Sequence, residues 1–163
     1  MEIVDIVDKE DKIVGSAPKD DVKPPGLLSR VAFVILLNSN DELFLQQRKA
    51  TKKTYPLYWS GSAAGHVQSG ESYTEAALRE TKEEIGVETD LQEVGKFISE
   101  IDREIVTVFI GRSDGPYTIE EASIEKTENY TLDRLSSEES NMKMTSYLEK
   151  AIPLVKRFLD AAR

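Results

Sequence analysis

Three glutamates, Glu80, Glu83 and Glu84, crowd into five consecutive positions of the chain. At about 100° per residue on a helical wheel, setting Glu80 at zero puts Glu84 near ~40° and Glu83 near ~−60°, so the three share one flank. Like charges one turn apart repel. They also gather toward the carboxyl end of the predicted helix, where the macrodipole disfavours anions. Two unfavourable choices in one segment call for a compensating partner. A hard divalent cation bound through oxygen supplies one, and Mg²⁺, with Mn²⁺ as the alternative, suits carboxylate-plus-phosphate coordination. Taken alone, an E-x-x-E-E run reads as a solvated acidic face; the residues around it change that balance.

The helix that carries them has clear ends. Ser72 and Glu75 form an S-x-x-E capping box and Gly86 stands where a terminating glycine belongs, which predicts a helix from about Tyr73 to Ile85. Its buried stripe reads as Thr74, Leu78, Thr81 and Ile85, with Ala76 and Ala77 beside the carboxylates leaving room for a bulky ligand. Ahead of it, residues 2–7 and 12–17 predict a hairpin, and 30–38, RVAFVILLN, a central strand buried on both faces. Residues 42–47 form a second strand, and the 48–58 loop, RKATKKTYPLY, is basic and aromatic. Strands follow at 91–101 and 104–112, and 117–131 reads as either strand or loop. Ser136–Glu139 is a candidate cap for a short helix, and 146–162 reads as a terminal helix in which Pro153 implies a kink or a late start. Its apolar stripe is Leu148, Ile152, Val155 and Leu159. The order predicts an α/β (α+β) fold, a mixed β-sheet sandwiched between helices, as a single domain over 1–163.

Composition narrows the partners. A net charge of −9 without a long basic block argues against duplex nucleic acid held through its phosphates. The absence of cysteine excludes disulfides, thiolate metal sites and a cysteine nucleophile. No basic-then-apolar leader and no run of ~18 apolar residues is present, so no membrane is expected as partner and a cytoplasmic location follows by default.

The stretch Gly65–Val87 resembles the Nudix box, G-x5-E-x7-R-E-U-x-E-E-x-G-U with U a bulky apolar residue: Gly65, Glu71, Arg79, Glu80, Glu83, Glu84 and Gly86 fill its seven fixed identities. Val87 fills one apolar slot, and Thr81 departs from the other, where its hydroxyl can bond back to the helix. The resemblance implies a Nudix-type fold. It implies metal binding by Glu80, Glu83, Glu84 and the Gly65 carbonyl, and a loop-to-helix brace between Glu71 and Arg79. It also implies cleavage of a small-molecule diphosphate by water, with a box glutamate or a later one as base. A homodimer is common in that superfamily.

A second, softer resemblance covers most of residues 1–87. EIVDIVDKEDKIVGSAPKDDV, LLSRVAF, RKATKKTYPLYW and GSAAGHV are similar to type I isopentenyl-diphosphate isomerase and the hydrolases grouped with it. It implies diphosphate binding by Arg48, Lys52 and Lys53, with a solvated loop as the plainer reading. It also makes Glu104, with Asp102 on the same strand face, an extra ligand or the base; a solvated strand end is the other possibility. His66, beside Gly65, is a candidate phosphate donor or a structural residue. Trp59, Tyr55 and Tyr58 either stack on a base or pack. The departures matter more: Ala64 stands where the isomerase has its catalytic cysteine, and Ser29 and Arg30 occupy the region of its metal-binding histidines. The sequence therefore points to an isomerase-like Nudix hydrolase acting on a nucleoside diphosphate-type substrate, with catalytic candidates Glu80, Glu83 and Glu104. An isomerase and a non-catalytic nucleotide-binding module are the alternatives.

Overall fold

The computed structural model describes residues 2–21 and 23–163; Met1 and Val22, the last residue of the amino-terminal similarity segment, lie outside them. The chain opens with the expected antiparallel hairpin, β1 (Ile3–Val7) and β2 (Ile13–Pro18). Then come β3 (Ser29–Leu37), β4 (Leu43–Arg48), β5 (Trp59–Ser60), β6 (Ala63–His66) and α1 (Tyr73–Ile85). The remainder is β7 (Leu91–Ser99), β8 (Glu104–Arg112), β9 (Ile124–Tyr130), α2 (Leu132–Glu138) and α3 (Ser146–Ala161).

β3 is the spine of a mixed sheet. It runs parallel to β8 along its length, from Ser29 opposite Glu104 to Leu37 opposite Arg112. Its other edge is shared: Leu36 and Leu37 pair with β4, while Val31 to Val34 pair with β6. Beyond that point β4 pairs with β5 and β9. The period of two then explains the continuous apolar run. Val31, Phe33, Ile35 and Leu37 pack toward Leu148, Ala151, Val155 and Leu159 of α3. Ala32, Val34 and Leu36 pack toward Ala76, Ala77 and Ile85 of α1. A strand covered on both faces has no polar position to spare, and each large side chain buried there contributes roughly 1.5–3 kcal/mol.

Several sequence expectations need correction. α3 runs unbroken from Ser146, neither starting late nor stopping at Pro153, whose ring lies on the exposed side. Its buried stripe takes Ala151, with Ile152 half-buried. α2 starts at Leu132 and not at Ser136, because the Thr131 hydroxyl accepts the Arg134 N–H at 3.0 Å and caps it earlier. Within 117–131 only Ile124–Tyr130 is strand.

One carboxylate, unremarked in the sequence, fastens the amino-terminal hairpin to the sheet. Asp11, at the hairpin tip, accepts from Arg30 Nε of β3 at 2.7 Å and from the Tyr73 hydroxyl of α1 at 3.0 Å. It also accepts from Lys96 Nζ of β7 at 2.7 Å. Both cations lie over the Tyr73 ring, at 5.3 and 4.7 Å from its centre. Burial pushes the Asp11 pKa up, but the bonds from Lys96, Arg30 and Tyr73 outweigh it and hold the carboxyl below its ordinary 3.8. A depressed folded-state pKa gives stability that is present above the unfolded value and lost as pH falls through the folded one. Asp11→Asn is therefore expected to lower the unfolding free energy by about 1–3 kcal/mol at pH 7, measured by urea denaturation. The gap between wild type and variant should narrow only below pH 3.8. A gap that stays constant into strong acid would remove the carboxylate from this role.

Candidate functional site

α1 ends where its local residues dictate. The Ser72 hydroxyl accepts from Glu75 N at 3.1 Å and Glu75 Oε1 accepts from Ser72 N at 3.0 Å, completing the capping box. At the other end Gly86 adopts φ 69° and donates its N–H to the Lys82 carbonyl, a conformation that favours glycine. The face laid on the sheet keeps half of the predicted stripe, Thr81 and Ile85. Thr74 and Leu78 are exposed, while Ala76 and Ala77 are fully buried and bring the helix close to β3 instead of leaving room for a ligand. Thr81 is buried and its hydroxyl donates to the Ala77 carbonyl at 2.7 Å, the back-bond expected of it. The shift turns Glu80 and Glu84 toward the sheet side and leaves Glu83 outermost, its side chain 56% exposed.

Gly65, in β6, receives that inward flank. A Cβ at position 65 would stand 2.2 Å from Glu80 Cδ, so any larger residue there would displace the Glu80 carboxylate from this place. Glu84 accepts from Gln46 Nε2 at 2.9 Å and from Ala64 N at 3.3 Å. Burial, joined by the adjacent Glu80, raises the Glu84 pKa well above the ordinary carboxylate range; the Gln46 and Ala64 donors pull the other way. Arg79 balances the group. Its Nε and Nη2 clasp Glu71 at 2.7 and 3.0 Å, and Nη1 reaches Glu80 at 2.7 Å and Glu83 at 3.3 Å. Nη2 also donates to the His66 carbonyl at 3.1 Å. Glu71 accepts Gln68 N at 2.9 Å, so the fork closes the loop onto the helix. The Arg79 bond, the largest influence, lowers the Glu71 pKa, and Glu71 in turn raises that of Arg79.

The donor set suits a hard cation. Every ligand candidate offers oxygen, and one guanidinium faces Glu71, Glu80 and Glu83, with Glu84 adjacent, leaving the crevice negative. Among the described residues no three acids or histidines already encircle one point: Glu80 and Glu83 lean on Arg79, and Glu84 on Gln46.

A second acidic locus lies on the α3 face. His66 Nε2 is 2.7 Å from Glu104 Oε2, and the Tyr147 hydroxyl donates to Glu104 Oε1. Desolvation, then the charge of Glu104, raises the Tyr147 pKa. Glu104 is nearly buried and opposes Ser29, whose buried hydroxyl has no partner among the described residues. Asp102 does not share this strand. It sits in the turn before β8, accepting from Ser99 Oγ at 2.8 Å and from the Tyr55 hydroxyl at 3.4 Å.

The basic loop meets both loci through Arg48. Its charged neighbours are Glu84, Tyr147 and Tyr55, and burial, the largest influence, lowers its pKa. It donates to the Thr54 carbonyl at 2.9 Å. Lys52 is half-buried and Lys53 exposed, and among the described residues neither forms an ion pair. Trp59 is turned inward, edge-on to Tyr130 at 5.5 Å, and is not a free stacking platform. Gln46, Tyr147 and Ser146 went unnoticed in the sequence; a glutamine in a strand and the first two residues of a helix carry no local signal of the distant acids they meet.

The model of the NUDIX domain matches residues 27–151. A Nudix hydrolase of Pseudomonas aeruginosa is 33% identical over 163 residues, 98% of this chain and 95% of that one. An isopentenyl-diphosphate Delta-isomerase of Photorhabdus laumondii is 38% identical over 120 residues, 69% of this chain and 68% of its own. A solved structure from Deinococcus radiodurans superposes with a TM-score of 0.79 at 28% identity, covering 96% of this chain and 98% of that one.

The fork can be tested without any substrate. Arg79→Lys keeps the charge and loses the planar pair of donors. It is expected to cost about 1.5–3 kcal/mol in urea unfolding, with faster amide exchange across Gln68–Ser72. Wild-type stability and exchange in the variant would show that the fork does not hold this loop.

Proposed function

The chain belongs to the Nudix family of hydrolases, and from that premise we propose that it is a Mg²⁺-dependent enzyme cleaving the diphosphate linkage of a nucleoside diphosphate-type substrate. One observation carries the reading: two of the three box carboxylates are turned inward, Glu80 against Gly65 and Glu84 against the Ala64 N–H, with Glu83 at the rim, and no neighbouring cation fully offsets their charge. Glu80, Glu83, Glu84 and the Gly65 carbonyl are the ligands we assign to Mg²⁺ or Mn²⁺. The bound ion supplies charge neutralisation at the diphosphate and activation of water.

The chain's own residues do the rest. Arg48 holds the phosphate end of the substrate over the acidic crevice, with Lys52 and Lys53 adding charge from the same loop. His66, oriented by Glu104, presents its ring to a phosphate oxygen. Glu83, the most exposed of the three box acids, and Glu104, which accepts from both His66 and Tyr147, are the two candidates to take the proton from water. The unit that does this is the whole chain, 1–163, acting as one domain on a small molecule.

The isomerase named among the relatives supports a second reading, and Ala64 counts against it. Ala64 packs toward the α3 face and offers a methyl where a proton donor is needed, while His66 is the lone histidine of the chain. A third, a metal-free nucleotide sensor, has no use for the buried acids.

A panel of ADP, CDP, GDP, UDP, nucleotide sugars and isopentenyl diphosphate, assayed for phosphate release and for isomerisation, separates the three. Hydrolysis is expected to need Mg²⁺ or Mn²⁺ and to stop with EDTA. Glu83→Gln and Glu84→Gln should each lower kcat by about 10²-fold or more. Turnover untouched by both substitutions would overturn the assignment of the site to these glutamates, and conversion of isopentenyl to dimethylallyl diphosphate would overturn the hydrolytic reading.

A further inference from the structure

The 49–58 segment reaches the crevice in a conformation that its own residues resist. Tyr55 and Leu57 adopt φ of 51° and 65°, the left-handed region that side chains other than glycine disfavour. The segment's backbone is anchored at its ends, with Leu57 N bonded to the Arg48 carbonyl at 3.0 Å and Arg48 N to the Tyr58 carbonyl at 2.9 Å. Between those ends Tyr55 makes the distant side-chain attachment. Its hydroxyl is 3.4 Å from Asp102 Oδ2, in the turn before β8, and 3.2 Å from Ser146 Oγ, in the first turn of α3. A hydroxyl has one proton and two lone pairs, so Tyr55 donates to the carboxylate and accepts from the serine. Its ring lies edge-on to Tyr58 at 5.3 Å and to Tyr147 at 6.2 Å.

We propose that Tyr55 is a positioning residue: its hydroxyl, bridging Asp102 and Ser146, latches the Lys52–Lys53 loop in place beside the acidic crevice so that the diphosphate meets a pre-set basic strap. The proposal rests on the diphosphate reading of the site. Both lysines stand on the held segment, and Arg48 bonds the Thr54 carbonyl next to Tyr55, so the latch fixes Arg48's partner as well. Ordering the strap before the ligand arrives removes an entropic cost from binding and leaves the chemical step alone.

Tyr55→Phe deletes the hydroxyl and keeps the ring contacts; Ser146→Ala removes one partner from the other side. The first readout is trypsin cleavage after Lys52 or Lys53, identified by fragment mass, with Trp59 emission confirming an unchanged unfolding midpoint. Both variants are expected to be cut about three- to tenfold faster than wild type. The second readout is kinetic. KM for whichever of ADP, CDP, GDP or UDP is turned over fastest should rise by a similar factor with kcat unchanged. Cleavage rates equal to wild type in both variants, or a fall in kcat at constant KM, would overturn the latch. If no compound is hydrolysed, the function proposed above fails by itself. The latch is then judged by inorganic pyrophosphate with Mg²⁺: protection of Lys52 and Lys53 in wild type, weaker in Tyr55→Phe, supports it, and equal or absent protection overturns it.

Discussion

The crevice depends on how one guanidinium is shared. Arg79 gives two donors to Glu71, one nitrogen to Glu80 and Glu83, and a further bond to the His66 carbonyl. The first contact closes the loop, the second steadies the inward Glu80 and the outer Glu83, and the third fixes the backbone that presents Gly65. A lysine has the charge but not the fork. The arrangement places a single positive charge against several negative ones, so it holds the shape of the site without neutralising it. A structural ion pair evolved for stability alone has no reason to stop short of balance, since an unpaired buried carboxylate is costly.

β6 distributes the chemistry between the two faces of the sheet. Its four residues alternate as any strand does: Ala63 joins the core under α1 and Gly65 meets Glu80, while Ala64 packs toward α3 and His66 meets Glu104. One short strand, paired with β3 along Val31–Val34, therefore sets the separation of the two acidic loci. The sharing of β3's edge between β4 and β6 makes this possible. A β4 that paired with β3 throughout would cover the positions β6 takes and leave Gly65 without a place beside α1.

What could be read from the sequence follows from how local each determinant is. The ends of α1 were legible to the residue, because the capping box and the left-handed Gly86 are contacts within a few positions. The apolar run of β3 declared a strand covered on both sides for the same reason. The buried stripe of α1 was half read: Thr81 and Ile85 are buried, Thr74 and Leu78 are not. A hydrophobic ranking favours Leu78 over Ala77, yet close approach of helix to sheet needs the alanine, and two glutamates share that face for chemical reasons no hydrophobic scale rewards. The Asp11 clasp was not legible, and of the His66–Glu104–Tyr147 chain the sequence marked His66 and Glu104 singly but neither their contact nor Tyr147. Their members come from separate strands and helices, and the sheet order that joins them is a property of the whole fold.

Ala64 sharpens what chemistry remains. Its N–H donates to Glu84 at 3.3 Å, so its backbone is already engaged on the acidic side, and its methyl projects to the face of His66. The position thus lies between the two loci and offers a transferable proton to neither. With no thiol in the chain and one imidazole already bonded to a carboxylate, the groups available at the crevice are oxyacids, a phenol and cations. Oxyacids around a hard ion suit the attack of water on phosphorus, where the charge is on oxygen throughout. They are poorly suited to protonating an unactivated carbon, which needs a strong acid held close to an apolar substrate. The same alternation that separates Gly65 from His66 places Ala64 on the face of His66, and the side chains there therefore favour hydrolysis over isomerisation.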